Sequence, residues 1–313
     1  MTSSELYPTD INPCPSGAET KVIANCDAEL RAARWRPHGD AKGTVILAHG
    51  RTEFTEKYFE VIGELLARGY VVFTFDWRGQ GLATRELEEW QRGHIDDFDD
   101  FLGDLDCIFA DEFFAACPSP RYVLAHSMGG NIMMRYLHDH PEIADRAVLS
   151  APMLRFGSGI QVQALRLFAS AASAIGRGNA EPFVSKPQPP AEQTFEKNPV
   201  TSDPERYERT RATVIAHPPL GVAGLSWQWL KAASASIEEI WRDDFMGELK
   251  TPVLLLAAGR EKLVDPKGCR DYAARAEVCE AVTIEGALHE IMMERDPFRR
   301  QFWALFDEFL SRP

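Results

Sequence analysis

No apolar run in these 313 residues approaches membrane-spanning length, which argues against a helical integral membrane protein. No run of Lys or Arg stands out against a formal net charge of −13, so neither nucleic acid nor electrostatic attachment to anionic lipid is indicated. The six cysteines (Cys14, Cys26, Cys107, Cys117, Cys269, Cys279) are scattered, with no CxxC pair and no His/Cys cluster at zinc spacing. Reduced thiols and a cytoplasmic location follow as the expectation. No phosphate-cradling glycine loop or cluster of metal ligands appears, so no cofactor and no metal are expected. Met1 to Asp10 is polar and lacks the apolar core of a signal peptide, and no internal repeat is found. What remains is a chain of 45% hydrophobic content, enough for one large domain with an insertion.

Short apolar runs bounded by glycine or proline alternate with helical patterns along most of the chain. Leu30 to Arg36 reads as an early strand, and residues 1 to about 25 as an unpatterned surface segment. Gly43 to Ala48 is a buried strand ending at His49-Gly50-Arg51, followed by a helix with Tyr58, Phe59, Ile62, Leu65 and Leu66 on one stripe and Gly69 as its stop. Tyr70 to Phe75 is the next strand, then a long amphipathic helix carries Phe98, Phe101, Leu105, Ile108, Phe109 and Phe113. Further strands fall at Tyr122 to Ala125, Ala147 to Leu149, Val253 to Ala257 and Ala281 to Ile284, and a closing helix starts at Asp296-Pro297. Such alternation specifies a mostly parallel sheet covered on both faces by helices, an α/β fold. It stops near Pro152 and resumes at Thr251. The intervening segment has helical patterns at Ile160 to Ile175, Tyr207 to Ile215 and Trp227 to Ile240, with a proline-rich stretch from Pro182 to Pro190. The expected division is a core of 1–151 and 246–313 with a helical cap inserted at 152–245, its apolar side chains mostly forming the cap's own core.

Tyr122-Val123-Leu124-Ala125-His126-Ser127-Met128-Gly129-Gly130-Asn131 is a strand that breaks at one serine and turns directly into a helix. This is the pattern of the nucleophile elbow of the α/β-hydrolases, with Ala125 where the motif usually has its first glycine. The elbow lifts a serine hydroxyl above the sheet edge and aims the N–H of Met128 at a developing oxyanion. Serine, acid and histidine then occur in that order, each just past a strand. The carboxyl ends of parallel strands share one edge, so these loops meet. His289, after the last strand, is the expected base. His49 is expected to brace the loop after the first buried strand, and His126 to point to the other side of the turn. Glu261 and Asp265 occupy one loop, and either can orient the imidazole, glutamate having the longer reach. The Arg51 N–H is the candidate second oxyanion donor, its side chain lying in solvent or pairing with an acid such as Glu53. Asp76 is expected to brace its own glycine loop.

His49-Gly50-Arg51-Thr52-Glu53, Asp76-Trp77-Arg78-Gly79-Gln80-Gly81, His126-Ser127-Met128-Gly129-Gly130 and Gly286-Ala287-Leu288-His289-Glu290 together resemble the monoacylglycerol lipase and lysophospholipase branch of the α/β-hydrolases, over roughly residues 40 to 312. The resemblance implies Ser127 as nucleophile, His289 as base, oxyanion donors at Arg51 and Met128, and an acid three residues before Val264, which is Glu261. Many members have aspartate there, so Asp265 stays open. The resulting expectation is a serine ester hydrolase for single-acyl lipids, lysophospholipid or monoacylglycerol, working through an acyl-enzyme. It would make at most transient contact with a membrane surface. A small-ester carboxylesterase or peptidase on the same scaffold, and a non-catalytic binding module, are the alternatives.

Overall fold

The computed structural model describes residues 3–25, 27–157, 160–182 and 192–312, and the side chains from 163 onward in the third of these stretches. In chain order the strands are β1 (Glu19–Ala24), β2 (Glu29–Trp35), β3 (Thr44–Ala48), β4 (Val71–Phe75), β5 (Arg92–Gly93), β6 (Arg121–His126), β7 (Arg146–Ser150), β8 (Gly224–Leu225), β9 (Val253–Ala258) and β10 (Cys279–Ile284). The helices are α1 (Phe59–Ala67), α2 (Asp99–Ala110), α3 (Glu112–Ala115), α4 (Met128–Asp139), α5 (Ile160–Ala174), α6 (Pro204–Ala216), α7 (Trp227–Ile240), α8 (Asp243–Glu248), α9 (Lys267–Ala273) and α10 (Asp296–Ser311).

Eight strands form one sheet in the order β1-β2-β4-β3-β6-β7-β9-β10, antiparallel at β1/β2 and β2/β4 and parallel elsewhere. The two-residue period of a strand sorts its side chains between two cores. Along β3, Ile46 and Ala48 join the core under α2, α4 and α9, whereas Val45 and Leu47 join the core under α1 and α10. Both faces are therefore buried, as the uninterrupted apolar runs required. The sheet is the α/β architecture anticipated from the alternation.

Two of these expectations need correction, and one helix is added. Residues 1–25 are not wholly unpatterned, since Glu19–Ala24 adds an edge strand to β2. Only Ile23 of this strand is buried, so its pairing leaves almost no apolar signature. The long helix from Phe98 is interrupted at Asp111, whose backbone is extended (φ −70°, ψ 143°) and whose side chain caps α3 through the Phe113 N–H. The short α9 falls in a stretch with no helical period in its sequence.

The chain leaves the sheet after β7 and returns at β9. Between them α5 packs on α7, and α7 packs on α4, placing Trp229, Ala233 and Ile240 in the larger core rather than in a separate one. β5 and β8 pair in parallel beside this segment. The Arg206 guanidinium bonds Glu60 of α1 at 2.8 Å and Asp296 of α10 at 2.9 Å, and the Thr201 hydroxyl donates to the Met293 carbonyl. The expected boundary at 245 falls inside α8. Of the proline-rich stretch, 183–190 lie outside the described residues.

Candidate active site

All the candidate residues lie at the carboxyl edge of the parallel strands: 49–53 after β3, 76–82 after β4, Ser127 after β6, 261–265 after β9 and His289 after β10. Ser127 has φ +49° and ψ −114°, a strained conformation for a residue with a side chain, costing about 1–3 kcal/mol. The surrounding bonds over-determine it. Its N–H donates to the Ser150 carbonyl, and its own carbonyl accepts from Met153 and Asn131. The turn also brings α4 hard against β3, so that a Cβ on Gly129 would lie 2.4 Å from the His49 carbonyl oxygen and 2.7 Å from that of Ala48. Neither backbone atom can yield. Gly129→Ala is expected to lower stability by about 3 kcal/mol in urea unfolding, and a variant as stable as the parent would contradict this close approach.

The His289 Nε2 lies 3.0 Å from the Ser127 Oγ, and its Nδ1 lies 2.7 Å from the Glu261 Oε2. The tautomer that satisfies both contacts places the proton on Nδ1, leaving Nε2 to accept from the serine hydroxyl. The Glu261 side chain is buried, and its other oxygen accepts the N–H groups of Lys262 and Leu263, both at 2.8 Å. Burial works to raise this carboxyl, but the His289 contact and the two amides outweigh it and hold it below the usual range. Asp265, the other acid of the loop, faces elsewhere: it accepts the Lys267 N–H at 3.0 Å and stands 3.7 Å from Arg155. The structure thus brings Ser127, His289 and Glu261 together and leaves Asp265 outside.

Met128 opens α4, and its N–H has no acceptor among the described residues, nor does that of Arg51. The amides on either side of Arg51 are both fixed, Gly50 to the Glu53 carboxylate and Thr52 to the Gln80 side chain at 2.7 Å. Gln80 closes the glycine loop braced by Asp76. Asp76 accepts from Arg31, Thr55 and the Leu82 N–H, as its position suggested. His49 is buried against this loop, and its carbonyl accepts the Trp77 indole N–H at 2.7 Å.

Behind the histidine lies a buried ion network that sequence reasoning did not single out. Lys57 bonds Glu53 and Glu290, tying the loop after β3 to the loop after β10, and the Tyr58 hydroxyl completes Glu53. Burial disfavours the Lys57 ammonium, but the two carboxylates overcome it and keep the amine protonated. The one sequence signal was the four-residue spacing of Glu53 and Lys57. His126 does not turn away as expected. Its ring centre is 4.7 Å from that of His289, with Nδ1 3.0 Å from the Ser150 carbonyl. Burial, opposed by Glu53 and assisted by His289, pushes its pKa down to about 4. The unfolded chain takes up this proton near 6.5, so between those values it binds more protons than the folded chain. Stability should therefore fall as pH drops through that window, by up to about 3 kcal/mol. Urea midpoints at each end of the window should converge in His126→Asn; an unchanged pH slope would contradict the neutral buried imidazole.

Ser127 and His289 open into a cavity of about 240 Å³. Its apolar wall is formed by Met128 of α4, Met153 and Phe156 after β7, Leu225, Trp229 and Leu230 from β8 and α7, and Leu263 and Val264 at the rim, with Arg51, Glu53 and Glu290 on the polar side. A serine hydroxyl within reach of an imidazole, a carboxylate on the imidazole's far side, two unengaged amides and a partly apolar cleft are the parts that acyl transfer needs. A strand-turn-helix serine on a parallel sheet of this order defines the α/β-hydrolase class.

Within that class, residues 39–296 match the family described as serine aminopeptidase, S33, and the chain belongs to it. It is 30% identical to lysophospholipase L2 of Escherichia coli K12 over 91% of this chain and 85% of that one. It is 26% identical to a monoacylglycerol lipase of Mycolicibacterium smegmatis over 83% and 85% of the two chains. Among solved structures, a soluble variant of monoglyceride lipase from Saccharomyces cerevisiae superposes with a TM-score of 0.73 at 19% identity, covering 98% of this chain and 99% of that one. A thermostable carboxyl esterase from Bacillus coagulans gives 0.74 at 15% identity, over 95% and 99% of the chains. These two share the fold.

Proposed function

We propose that this chain is a serine ester hydrolase acting on single-acyl lipids, lysophospholipids or monoacylglycerols, with Ser127, His289 and Glu261 as its triad. The observation that carries the reading is the hydrogen-bonded chain from Ser127 through His289 to Glu261 at the mouth of a cavity with one largely apolar wall. The Ser127 oxygen attacks the ester carbonyl while its proton passes to the His289 Nε2. The Arg51 and Met128 N–H groups hold the oxyanion, and Glu261 stabilises the imidazolium. The imidazolium then protonates the departing alcohol, leaving an acyl-Ser127 ester. Water, deprotonated by His289, releases the fatty acid and restores the serine.

Residues 152–245 act in this reading as the cap that closes the acyl site, since β8 and α7 supply part of its apolar wall. Contact with the lipid surface is transient; no helix among the described residues is long and apolar enough to cross a membrane. A cytoplasmic location is part of the proposal, supported by scattered cysteines among which no disulfide forms in the described residues. The family description also raises peptide substrates. An aminopeptidase needs a free acid for the substrate's ammonium, yet Glu53 and Glu290 are both bound to Lys57 and the Arg51 guanidinium lines the site.

The test is an ester series from acetyl to lauroyl. With an apolar acyl site, kcat/KM should rise about fourfold per methylene until the cleft is filled. A maximum at acetyl, or faster cleavage of aminoacyl amides, would overturn the assignment.

A further inference from the structure

The side chain of Arg51 goes to neither place expected of it. It lines the cavity that holds Ser127 and His289, with its guanidinium carbon 5.4 Å from the centre of the Trp229 ring. Its hydrogen bond runs to the Gly224 carbonyl, at 3.3 Å. Among the described residues no carboxylate lies within ion-pair distance of it. The two nearby acids are committed: Glu53 to Lys57, Tyr58 and the Gly50 amide, and Glu290 to Lys57. Burial pulls its pKa down to about 10, with no acid to oppose the shift. The Trp229 side chain also lines this cavity. Trp229 is 3% exposed, and its indole N–H has no partner among the described residues. A half-buried cation without a counter-ion is costly, and an anionic ligand group would supply the missing charge.

We propose that the Arg51 side chain receives a phosphate-type anion on the alcohol portion of the ester, so that this site selects single-acyl lipids with a phosphodiester headgroup over those with neutral glycerol. The inference rests on the ester-hydrolase reading and narrows its substrate. The guanidinium fork matches two phosphate oxygens, forming charge-assisted bonds that a glycerol hydroxyl cannot replace. Arg51 stands beside the oxyanion amides, so a headgroup held there keeps the scissile carbonyl next to Ser127. The competing role is a purely structural clasp, in which Arg51 merely joins the loop after β3 to β8 and α7.

Equilibrium binding of single-chain ether lipids, which cannot be hydrolysed, separates these roles. An alkyl glycerophospholipid, an alkylglycerol and a fatty-acid anion of equal chain length are titrated below their aggregation concentrations into wild type, Arg51→Ala and Arg51→Lys. The phosphate lipid should bind wild type about tenfold or more tightly than the alkylglycerol. Arg51→Ala should erase that preference and Arg51→Lys keep part of it, while alkylglycerol binding reports an intact cleft. Equal losses for both lipids in Arg51→Ala would make Arg51 a clasp and overturn the proposal. A loss confined to the fatty-acid anion would overturn it too. Turnover of the ester-linked counterparts by wild type checks the underlying reading separately: phosphate-lipid binding that depends on Arg51, without turnover, would sink the hydrolase reading and leave the anion site standing.

Discussion

Ser127→Ala is expected to lower kcat on a single-acyl ester by about a millionfold, while the urea midpoint and secondary structure stay those of the parent. The size follows from the proposed mechanism. Without the hydroxyl no acyl-enzyme forms, and His289 and Glu261 lose the group they activate, so the triad fails as a unit. What remains is the orienting effect of the cleft and the Arg51 and Met128 amides, which still favour attack by water weakly. The fold should not suffer. The elbow is held by backbone bonds to Ser150, Met153 and Asn131, none of which uses the serine hydroxyl. Turnover of the ester substrate on fully folded variant protein decides the matter; activity within tenfold of the parent would exclude Ser127 as nucleophile.

Glu261→Gln is expected to cost about ten-thousandfold in kcat with little change in KM. Glutamine can still accept the Lys262 and Leu263 amides, so the loop keeps its shape. It cannot balance an imidazolium, and its amide N–H₂ against the His289 Nδ1 favours the tautomer that leaves Nε2 unable to take the serine proton. Asp265→Asn should leave kcat essentially unchanged, because asparagine serves the Lys267 amide equally well and the residue touches neither His289 nor Ser127. The pair of variants separates two acids of one loop by kinetics alone. The reverse pattern would reassign the orienting acid.

The sequence carried the parallel sheet and the elbow because buried parallel strands are short apolar runs, and a serine between such a run and a helix has few structural uses. It carried the serine and histidine because strand ends on a parallel sheet converge wherever they fall in the chain. It was silent where pairing is long-range or the signal is half exposed. The edge strand at Glu19–Ala24 buries one side chain, and the break at Asp111 depends on a local cap. Glu261 and Asp265 are indistinguishable in sequence because only the direction of the loop decides which reaches His289. Lys57 and Glu290 are separated by most of the chain, so no local pattern announces their contact. Arg51 was legible as a backbone donor, whereas its side-chain position depends on the distant Gly224 and Trp229.

In the proposed mechanism Ser127 is an activated nucleophile in an accessible acyl site. Treating the full chain with a fluorophosphonate and locating the adduct by peptide mass spectrometry tests this most directly. The prediction is a single phosphonylated serine, Ser127, with labelling abolished in Ser127→Ala and strongly slowed in Glu261→Gln. Labelling at another residue, or no labelling of wild type together with no turnover of small esters that enter the cleft freely, would contradict it.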